Sequence, residues 1–317
     1  MKAIIIGAGR GRRLMPTTAD TPKCFAEVRG RRLLDWAVAA FASAGVTEIC
    51  FIGGYQIDKV RRDYPHFTFR HNAGWEHNNI LLSLMHADDQ MSDGFICCYS
   101  DILFTGEVVR RTLAHPGDIV LSVDTQWLAR YQHRTQHPPD DGEKVTVNNG
   151  AVTRVHRGIP PAEAHGEYTG IAKFTPAGAA ALRHHFARAR ARCAGRPFRE
   201  AAVFERAYLI LLYQEMIEAG VPFGHADTAG DYLEVDTRED FEIGLGCVDV
   251  TPGQIDSPET IAGRVRRALA HLDARRITLN PDCGFAPGSG AVVSLDEAYR
   301  KLCHEVEAAR ILRAEFG

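Results

Sequence analysis

A short segment near the start of the chain combines glycines with several basic side chains. Residues 7–23 read GAGRGRRLMPTTADTPK and follow the apolar run AIII. Glycines let a backbone turn tightly and approach a ligand closely, and the N–H groups of such a turn bind phosphate when cations lie beside them. The segment therefore predicts a loop that binds a polyphosphate.

Two common phosphate-binding motifs do not fit this segment. A dinucleotide fingerprint has the form GxGxxG, but its third glycine position is Arg12 when counting starts at Gly7 and Leu14 when it starts at Gly9. A P-loop needs Gly-Lys followed by Ser or Thr, which the segment lacks. The design that remains is a loop whose N–H groups wrap a nucleoside triphosphate while one arginine and a downstream lysine neutralise its charge.

The elements around the loop alternate between short apolar runs and amphipathic stretches. KAIIIG, TEICFIGGY, HFTFRHN and GFICCYSD predict strands, and RRLLDWAVAAFASAG, QIDKVRRDY and NNILLSLMHADDQM predict the helices between them. This alternation indicates an α/β protein with an open, doubly wound and mostly parallel sheet of Rossmann type. Ligands of such sheets bind at the carboxyl ends of the strands, where the loop and Asp101 are both expected.

From about residue 117 the chain follows a different pattern. Residues 117–124 and 144–158 predict short antiparallel strands with an Asn-Asn-Gly turn at 148–150, which suggests an inserted lid or wall. The sequence changes character again after residue 243. We therefore expect one domain at 1–243 and a smaller carboxy-terminal piece at 244–317.

Composition excludes several classes of partner. The 317-residue chain has a net charge of −3, which argues against nucleic acid and anionic membrane as partners. No apolar run reaches the ~18 residues that would cross a bilayer. Eight cysteines without a regular framework are typical of reduced thiols. These features predict a soluble, cytoplasmic protein with a small-molecule ligand.

The loop and its spacing resemble the nucleotidyltransferases that activate sugar phosphates and phosphocholine. The family pattern, Gly-x-Gly-x-Arg-Leu followed by Pro and then Pro-Lys, corresponds here to residues 9–14, Pro16 and Pro22-Lys23, although Gly7 stands where alanine is usual. The resemblance implies a GT-A-like form of the sheet. It also implies that Arg13 and Lys23 bind the triphosphate, and that the backbone approaches it at three small residues, Ala8, Gly9 and Gly11.

The same resemblance implies a bound Mg²⁺ ion. Magnesium prefers carboxylate oxygens, and the family holds it between aspartates from two strand ends. Asp101 and Asp236 occupy those positions, and Glu234 is a further candidate that would act through a water molecule. Either aspartate alone could instead cap a helix. Arg13, Lys23, Asp101 and Asp236 form the expected catalytic set.

Further segments resemble the cytidylyltransferase branch, which acts on phosphocholine and on phosphonates such as hydroxyethyl- or aminoethylphosphonate. They are HNAGWEHNNILLSL, YSDILF, EKV and GEYTGIAKFTPAG, and the resemblance extends over about residues 1–243. It implies CTP and a small anionic acceptor as substrates, with Asn78, Asn79 and Ser83 facing the pyrimidine. The alternative is that these residues cap a helix and form its polar face.

The acceptor site is less closely defined by the sequence. Lys144 is the expected ligand of the acceptor's anionic group, with Arg134, His133 and His137 nearby in sequence, and Asp124 and Glu167 complete the expected acceptor set. Alternatively, an aromatic cage of Trp127, Tyr131 and Tyr168 would favour phosphocholine. A sugar 1-phosphate acceptor stays open, as does a non-catalytic role as a nucleotide sensor or scaffold.

The tail resembles the end of the barrel of cobalamin-independent methionine synthase. Cys283, in the motif NPDCG, occupies the position of a zinc-ligating cysteine in that family. About seventy residues are far fewer than the ~200 that a complete barrel takes, and the other expected zinc ligands are missing. We therefore expect Cys283 to be structural or vestigial, and the tail to be a possible contact between copies of the chain.

Overall fold

The computed structural model describes residues 1–15, 18–131, 138–235, 243–270, 272, 274, 277–281 and 293–316. Contacts divide the chain into two compact units, Met1–Thr237 and Arg238–Gly317. This division lies a few residues before the boundary expected from the sequence.

The first unit alternates strands and helices, as predicted. Its strands are β1 Lys2–Gly7, β2 Glu27–Val28, β3 Arg31–Arg32, β4 Ile49–Gly53, β5 Thr68–His71, β6 Phe95–Tyr99, β7 Ile102–Phe104, β8 Ile119–Asp124, β9 Lys144–Asn148, β10 Ala151–His156, β11 Gly166–Phe174, β12 Gly224–Thr228 and β13 Tyr232–Glu234. Its helices are α1 Leu33–Ser43, α2 Ile57–Asp63, α3 Ile80–Met85, α4 Gly106–Ala114, α5 Trp127–Tyr131, α6 Pro176–Cys193 and α7 Leu209–Glu218.

One large sheet organises the described part of this unit. Its main path runs β10-β9-β11-β6-β1-β4-β5, and β8 pairs with both β11 and β12. β4 and β6 flank β1 in parallel, and β5 continues in parallel beyond β4. β11 runs against its neighbours β6, β8 and β9. This arrangement confirms the predicted α/β class with a doubly wound sheet.

The residues of β1 show why helices cover both faces of the sheet. Ile4 and Ile6 enter one apolar core, which also contains residues of α3, α6 and α7. Ala3 and Ile5 enter a second core, with residues of α1, α2 and α4. Successive side chains of a strand point to opposite faces, so an unbroken apolar run requires a core on each side.

Two sequence predictions differ from the structure. The strand predicted to end at Asp101 ends two residues earlier, at Tyr99, and a separate short strand, β7, follows it and pairs antiparallel with β13. The strands expected to form an inserted lid, β8, β9 and β10, instead belong to the main sheet, where β8 and β9 both pair with β11 and β10 pairs with β9. The predicted turn joins β9 to β10, with Asn149 and Gly150 at φ of 50° and 76°, the left-handed pair of a tight hairpin.

The second unit is a small βα assembly. β14 Ile243–Val248 pairs in parallel with β15 Ile277–Pro281, and α8 Pro258–Leu269 and α9 Leu295–Phe316 accompany them. A compact apolar core includes Val248, Ile261 and Leu312. None of the described helices in either unit is both long enough and apolar enough to cross a membrane.

Candidate active site

The glycine-rich loop and the neighbouring strand ends line a cavity of about 370 Å³ in the first unit. Nine residues of the expected catalytic and nucleotide-binding sets contribute to its lining: Ala8, Gly9, Gly11, Arg13, Lys23, Asn78, Asn79, Ser83 and Asp101. They come from segments up to about ninety residues apart, and the carboxyl ends of β1 and β6 bring the loop and Asp101 together. The position agrees with the rule that ligands of open α/β sheets bind beyond the strand ends.

Two glycines of the loop have a steric reason for their identity. Gly11 has φ of +68°, and a Cβ atom there would lie 2.9 Å from Cγ and Cδ of Lys23. The Thr18 hydroxyl also donates to the Gly11 carbonyl at 2.7 Å. At Gly7, where alanine is usual in the resembling family, a Cβ would lie 2.6 Å from Cζ of Phe51. The departure at this position therefore makes room for a core phenylalanine.

Lys23 and Asp101 form an ion pair at the base of the cavity. The Lys23 ammonium donates to Asp101 Oδ2 at 2.7 Å, and the two side chains are only 10% and 24% exposed. Asp101 lies two residues after the end of β6, and its carbonyl accepts from the Val235 N–H at 2.8 Å. This backbone contact holds Val235, the residue after β13, beside Asp101.

The carboxylates near this pair have the chemistry that Mg²⁺ requires. Asp101 and Glu234 both line the cavity, and β13 places Glu234 opposite Ile102, the neighbour of Asp101. Asp236, the second expected metal ligand, lies outside the described residues. Oxygen ligands from two separate elements suit a hard cation that keeps some of its waters. The donor set therefore fits the ion implied by the family.

A hydrogen-bonded network orients the amides on the opposite wall. Asn72 is fully buried and exchanges two hydrogen bonds of 2.8 Å with the amide of Asn78. The Ser83 hydroxyl donates to the Asn79 carbonyl at 3.1 Å and accepts from Asn72 Nδ2 at 2.9 Å. Because the Ser83 hydroxyl proton is used in the bond to Asn79, Ser83 can only accept from Asn72. This sets the orientation of the Asn72 amide, which in turn sets that of the Asn78 amide.

Asn79 combines the two roles that the sequence left open. Its side chain accepts from the Ile80 N–H at 2.8 Å and so caps α3, while the residue also lines the cavity. Asn72 was not singled out from the sequence, where it resembles any asparagine after a strand. Its role depends on contacts with Asn78 and Ser83 that only the folded chain shows.

A second cavity of about 220 Å³ adjoins the first. Both cavities are lined by Arg13, Tyr99, Glu143, Arg157, Tyr208 and Glu234. The smaller one also has Asp141, Glu167, Tyr168 and Tyr232 in its lining. Tyrosine rings, carboxylates and two arginines therefore surround a common space beside the loop.

Arg157 connects the groups in the shared wall. Its guanidinium carbon lies 4.0 Å from the centre of the Tyr208 ring, and Nη2 is 3.4 Å from Glu143 Oε1. The Tyr99 hydroxyl donates to Glu143 Oε2 at 3.0 Å. Burial raises the pKa of Glu143, while the positive charge of Arg157 opposes this effect. Sequence reasoning missed Arg157 and Tyr208, because no local motif marks either residue.

The structure places Lys144 away from the cavity lining. The side chain is buried, and its ammonium donates to the carbonyls of Pro139 at 3.0 Å and Gly142 at 3.2 Å. Burial lowers the pKa of this amine. These contacts favour a structural role in the 139–144 turn over the acceptor-binding role expected from the sequence.

The other expected acceptor residues are divided between the wall and the space behind it. Asp124 is fully buried and accepts from the N–H groups of Gln126 and Gly230 at 2.9 Å and 3.1 Å. It also pairs with Arg130, which contacts Glu167 as well. Glu167 lines the second cavity, whereas Asp124 is not among its lining residues. Arg134, His133 and His137 lie outside the described residues.

The expected aromatic cage is not assembled as a unit. Trp127 and Tyr131 are buried against each other, with ring centroids 5.6 Å apart. Of the three predicted cage residues, Tyr168 lines the second cavity, where its ring lies 6.0 Å from that of Tyr99. The tyrosines at 99, 208 and 232 accompany it there instead.

Comparison with protein families gives two matches along the chain. The MobA-like NTP transferase domain matches residues 3–202, which include the loop and most of the cavity. The catalytic domain of cobalamin-independent synthase matches residues 223–310, and this second match confirms the resemblance seen in the tail. It begins at the start of β12, before the predicted boundary, and is much shorter than the ~250 residues of a typical barrel.

Individual relatives agree with the first match. The CTP:phosphoglutamine cytidylyltransferase of Campylobacter jejuni is 29% identical over 185 residues, covering 55% of this chain and 73% of the relative. The 2-aminoethylphosphonate cytidylyltransferase of Lancefieldella rimae is 30% identical over 139 residues, covering 38% of this chain and 56% of the relative.

A solved structure shows the same fold. The inositol-1-phosphate CTP transferase from T. maritima superposes with a TM-score of 0.58 at 20% identity, covering 75% of this chain and 90% of that one. Since the first family match covers more than half of the chain, this protein belongs to the MobA-like NTP transferase family and is a nucleotidyltransferase.

Proposed function

We propose that this protein is a magnesium-dependent cytidylyltransferase. It would join the CMP portion of CTP to a small acceptor that carries a phosphate or phosphonate together with a cationic nitrogen group. The single observation that carries the proposal is the continuity of the two cavities. Arg13, Lys23 and Asp101 lie on the loop side, and Arg157 with its tyrosines lies on the other.

The nucleotide would occupy the larger cavity. The loop and Lys23 suit the triphosphate, because backbone N–H groups and an ammonium group can neutralise its negative charge. Asn78, held by Asn72, presents an amide of fixed orientation to the edge of a base. A fixed donor and acceptor pair can distinguish cytosine from uracil, and the cytidylyltransferase relatives favour cytosine.

The acceptor would occupy the smaller cavity. Arg13 and Arg157 are positioned to attract an anionic group. Asp141, Glu143, Glu167 and Glu234, together with four tyrosine rings, give the remaining wall a surplus of carboxylates and π faces. Such a wall suits a primary or quaternary ammonium group. We therefore extend the expected phosphonate or phosphate acceptor to one that also carries a cationic nitrogen.

The reaction would be an in-line displacement at the α-phosphorus of CTP. An acceptor oxygen forms the new P–O bond, the bond between the α- and β-phosphates breaks, and pyrophosphate leaves. A phosphate monoester with a second pKa of ~6 is already mostly ionised at neutral pH, so no protein base is required. Catalysis then depends on positioning and on charge neutralisation by Arg13 and Lys23.

Magnesium, when bound by Asp101 and Glu234 with the predicted ligand Asp236, would supply further neutralisation of the triphosphate. Asp101 has a second task in this arrangement, because it holds the Lys23 ammonium at the base of the cavity. Displacing that contact would let the lysine turn toward the incoming phosphates.

The test is a substrate matrix with pyrophosphate release as the readout. CTP, UTP, dTTP, ATP and GTP are each combined with aminoethylphosphonate, hydroxyethylphosphonate, phosphocholine and glucose 1-phosphate in the presence of Mg²⁺. We expect kcat/KM for CTP to exceed that for the other nucleotides by at least about 10-fold, with amine-bearing acceptors preferred. Mass spectrometry identifies the CMP-linked product.

Other results would contradict particular parts of the proposal. A preference for UTP with glucose 1-phosphate would make the protein a sugar-phosphate uridylyltransferase. Equal rates with aminoethyl- and hydroxyethylphosphonate would remove the cationic group from the acceptor definition. Tight CTP binding without turnover on any acceptor would favour the sensor role.

A further inference from the structure

Three potential metal ligands converge outside the candidate active site. His165, His225 and Asp227 each present a ligand atom, and these atoms all lie within 4.8 Å of one another. None of the three lines either cavity of the candidate active site. In the part of the chain that the structure describes, they form the single cluster of three or more histidine, cysteine or acidic residues with this geometry.

The positions of these residues in the sheet explain the convergence. His225 and Asp227 are two residues apart on β12, so their side chains leave the strand on the same face. His165 comes directly before β11, and its backbone N–H donates to the Val145 carbonyl at 2.8 Å. β8 separates β11 from β12, so the cluster connects two strands that do not pair with each other.

Two distances within the cluster are close to those between neighbouring ligand atoms of one ion. Nε2 of His165 lies 2.9 Å from Oδ2 of Asp227, and Nδ1 of His225 lies 2.7 Å from Oδ1 of the same carboxylate. Bonds of ~2.0–2.2 Å to a common metal place neighbouring ligand atoms about 3 Å apart. The site therefore needs only a small expansion to admit an ion.

We propose that His165, His225 and Asp227 form a binding site for one divalent transition metal ion, separate from the candidate active site. Two imidazoles and a carboxylate suit Zn²⁺, Co²⁺ or Ni²⁺, whereas Mg²⁺ prefers oxygen ligands. Water completes the coordination, because the His165 and Asp227 side chains are 33% and 39% exposed.

The ion would act as a clamp at the edge of the acceptor cavity. His165 precedes Glu167 by two residues, and β12 leads through a short turn to Tyr232 and Glu234. Glu167, Tyr232 and Glu234 all line the smaller cavity. Joining the start of β11 to β12 would therefore fix both sides of that wall.

The site can be tested by zinc and cobalt binding to the full chain after chelation. We expect one equivalent of Zn²⁺, measured by competition with a fluorescent chelator, to depend on this cluster. His165→Asn, His225→Asn and Asp227→Asn should each lose that equivalent or bind at least about 10-fold more weakly. Zn²⁺ should raise the Tm of the parent protein but not of these variants.

Two control variants test whether zinc binds at this cluster. His156 pairs with Glu200 Oε1 at 2.9 Å but belongs to no cluster of three, so His156→Asn should bind zinc like the parent protein. Cys283→Ser tests the alternative zinc ligand in the tail. Loss of zinc in Cys283→Ser alone, or equal binding by all variants, would overturn the proposal.

Spectroscopy gives a readout that does not depend on stability. Co²⁺ bound by nitrogen and oxygen ligands has a visible absorption band, which we expect in the parent protein and in His156→Asn. The band should be absent or shifted in His165→Asn. This variant should still fold, because the His165 side chain is partly exposed. An unchanged Co²⁺ spectrum in His165→Asn and Asp227→Asn would contradict the assigned ligands.

Discussion

At the scale of single residues, the charge of Asp101 is the feature of the candidate site that is simplest to remove. Asp101→Asn keeps the shape of the side chain while abolishing its charge toward Lys23 and toward a metal ion. We expect kcat to fall about 100-fold or more, since charge neutralisation dominates phosphoryl-group transfer. Steady-state kinetics at saturating Mg²⁺, together with Tm, measure the effect.

A surface aspartate provides the matched control for this variant. Asp58 lies on α2, is 88% exposed at its side chain and pairs with Arg61 three residues later. Asp58→Asn should leave kcat and Tm unchanged within error. An Asp101→Asn protein that retains near-parental turnover would remove Asp101 from the catalytic set.

A second single-residue prediction concerns Arg157 and the binding of the acceptor. Arg157→Ala removes the guanidinium between Tyr208 and Glu143, so we expect the KM for the acceptor to rise at least about 10-fold while the KM for CTP changes little. Arg154→Ala is the control, because Arg154 lies on β10 three residues before Arg157 and its exposed side chain is 3.9 Å from Glu163. A larger effect on CTP than on the acceptor would assign Arg157 to the nucleotide.

Some of the site residues could be predicted from the sequence and others could not. Arg13 and Lys23 could be singled out because their spacing from the glycines is local in the chain. Arg157 and Glu143 meet only after β9 and β10 fold, so their pairing has no sequence pattern. Lys144 is a contrasting case, because the sequence does not show that the folded turn supplies carbonyls for its ammonium, and its acceptor-binding role stays a prediction.

At the scale of elements, Gly170 shows how β11 shapes the cavity. It has φ of +80°, and a Cβ atom there would lie 2.5 Å from Cδ2 of Tyr99. Gly170→Ala should lower the free energy of unfolding by roughly 3 kcal/mol, combining left-handed backbone strain with overpacking. Because Tyr99 donates to Glu143, the acceptor KM should rise as well.

A substitution at Gly220 separates backbone strain from overpacking as causes of the lower free energy of unfolding. It has φ of +85° after α7, but nothing lies within 4 Å of its Cβ position. Gly220→Ala should therefore cost only the backbone term of about 1–2 kcal/mol. Urea denaturation of both variants measures the difference, and equal losses would show that the contact with Tyr99 is unimportant.

An ion pair at the end of α7 gives a prediction for pH dependence. Arg199 donates to both carboxylate oxygens of Glu218 at 2.7 Å and 2.8 Å and holds the pKa of that carboxyl at about 2. A lowered pKa stabilises the fold above the ordinary carboxyl range, near pH 4.5, and this stabilisation disappears as the pH falls toward 2.

Glu218→Gln should test this stabilisation. The carboxylate is 52% exposed, so solvent screening limits the expected loss at pH 7 to about 0.5–1 kcal/mol. The difference from the parent protein should shrink as urea titrations move from pH 7 to pH 3. Glu163→Gln, at the looser 3.9 Å pair, should show a smaller difference at every pH. A loss that grows in acid would contradict the assigned sign.

Much of this element structure could be predicted because apolar periodicity is a local property. The runs that became β1, β4 and β6 are buried on both faces and read as strands in the sequence. The division between β6 and β7 could not be predicted, because it depends on β13, which lies about 130 residues later. Whether β8, β9 and β10 form a lid or extend the sheet likewise depends on strand partners distant in the chain.

At the scale of the whole molecule, the candidate active site and the tail belong to different units. Every described residue that lines the two cavities lies within Met1–Thr237. A chain that ends after Glu242 should therefore keep kcat within about 3-fold, as expected when a separate domain is removed. We expect a loss of solubility or of oligomeric state, measured by light scattering. A folded truncation without turnover would instead show that the tail takes part in catalysis.

The pairing of β8 with β12 also has a consequence for synthesis. β8 is complete at Asp124, but the strand that covers one of its edges begins about a hundred residues later, at Gly224. At ~5–20 residues per second, a ribosome needs about 5–20 s to cross that interval. During this time the nascent chain exposes an apolar strand edge on which other chains can pair. We therefore expect chaperone binding to protect the nascent chain during the interval before β12 emerges.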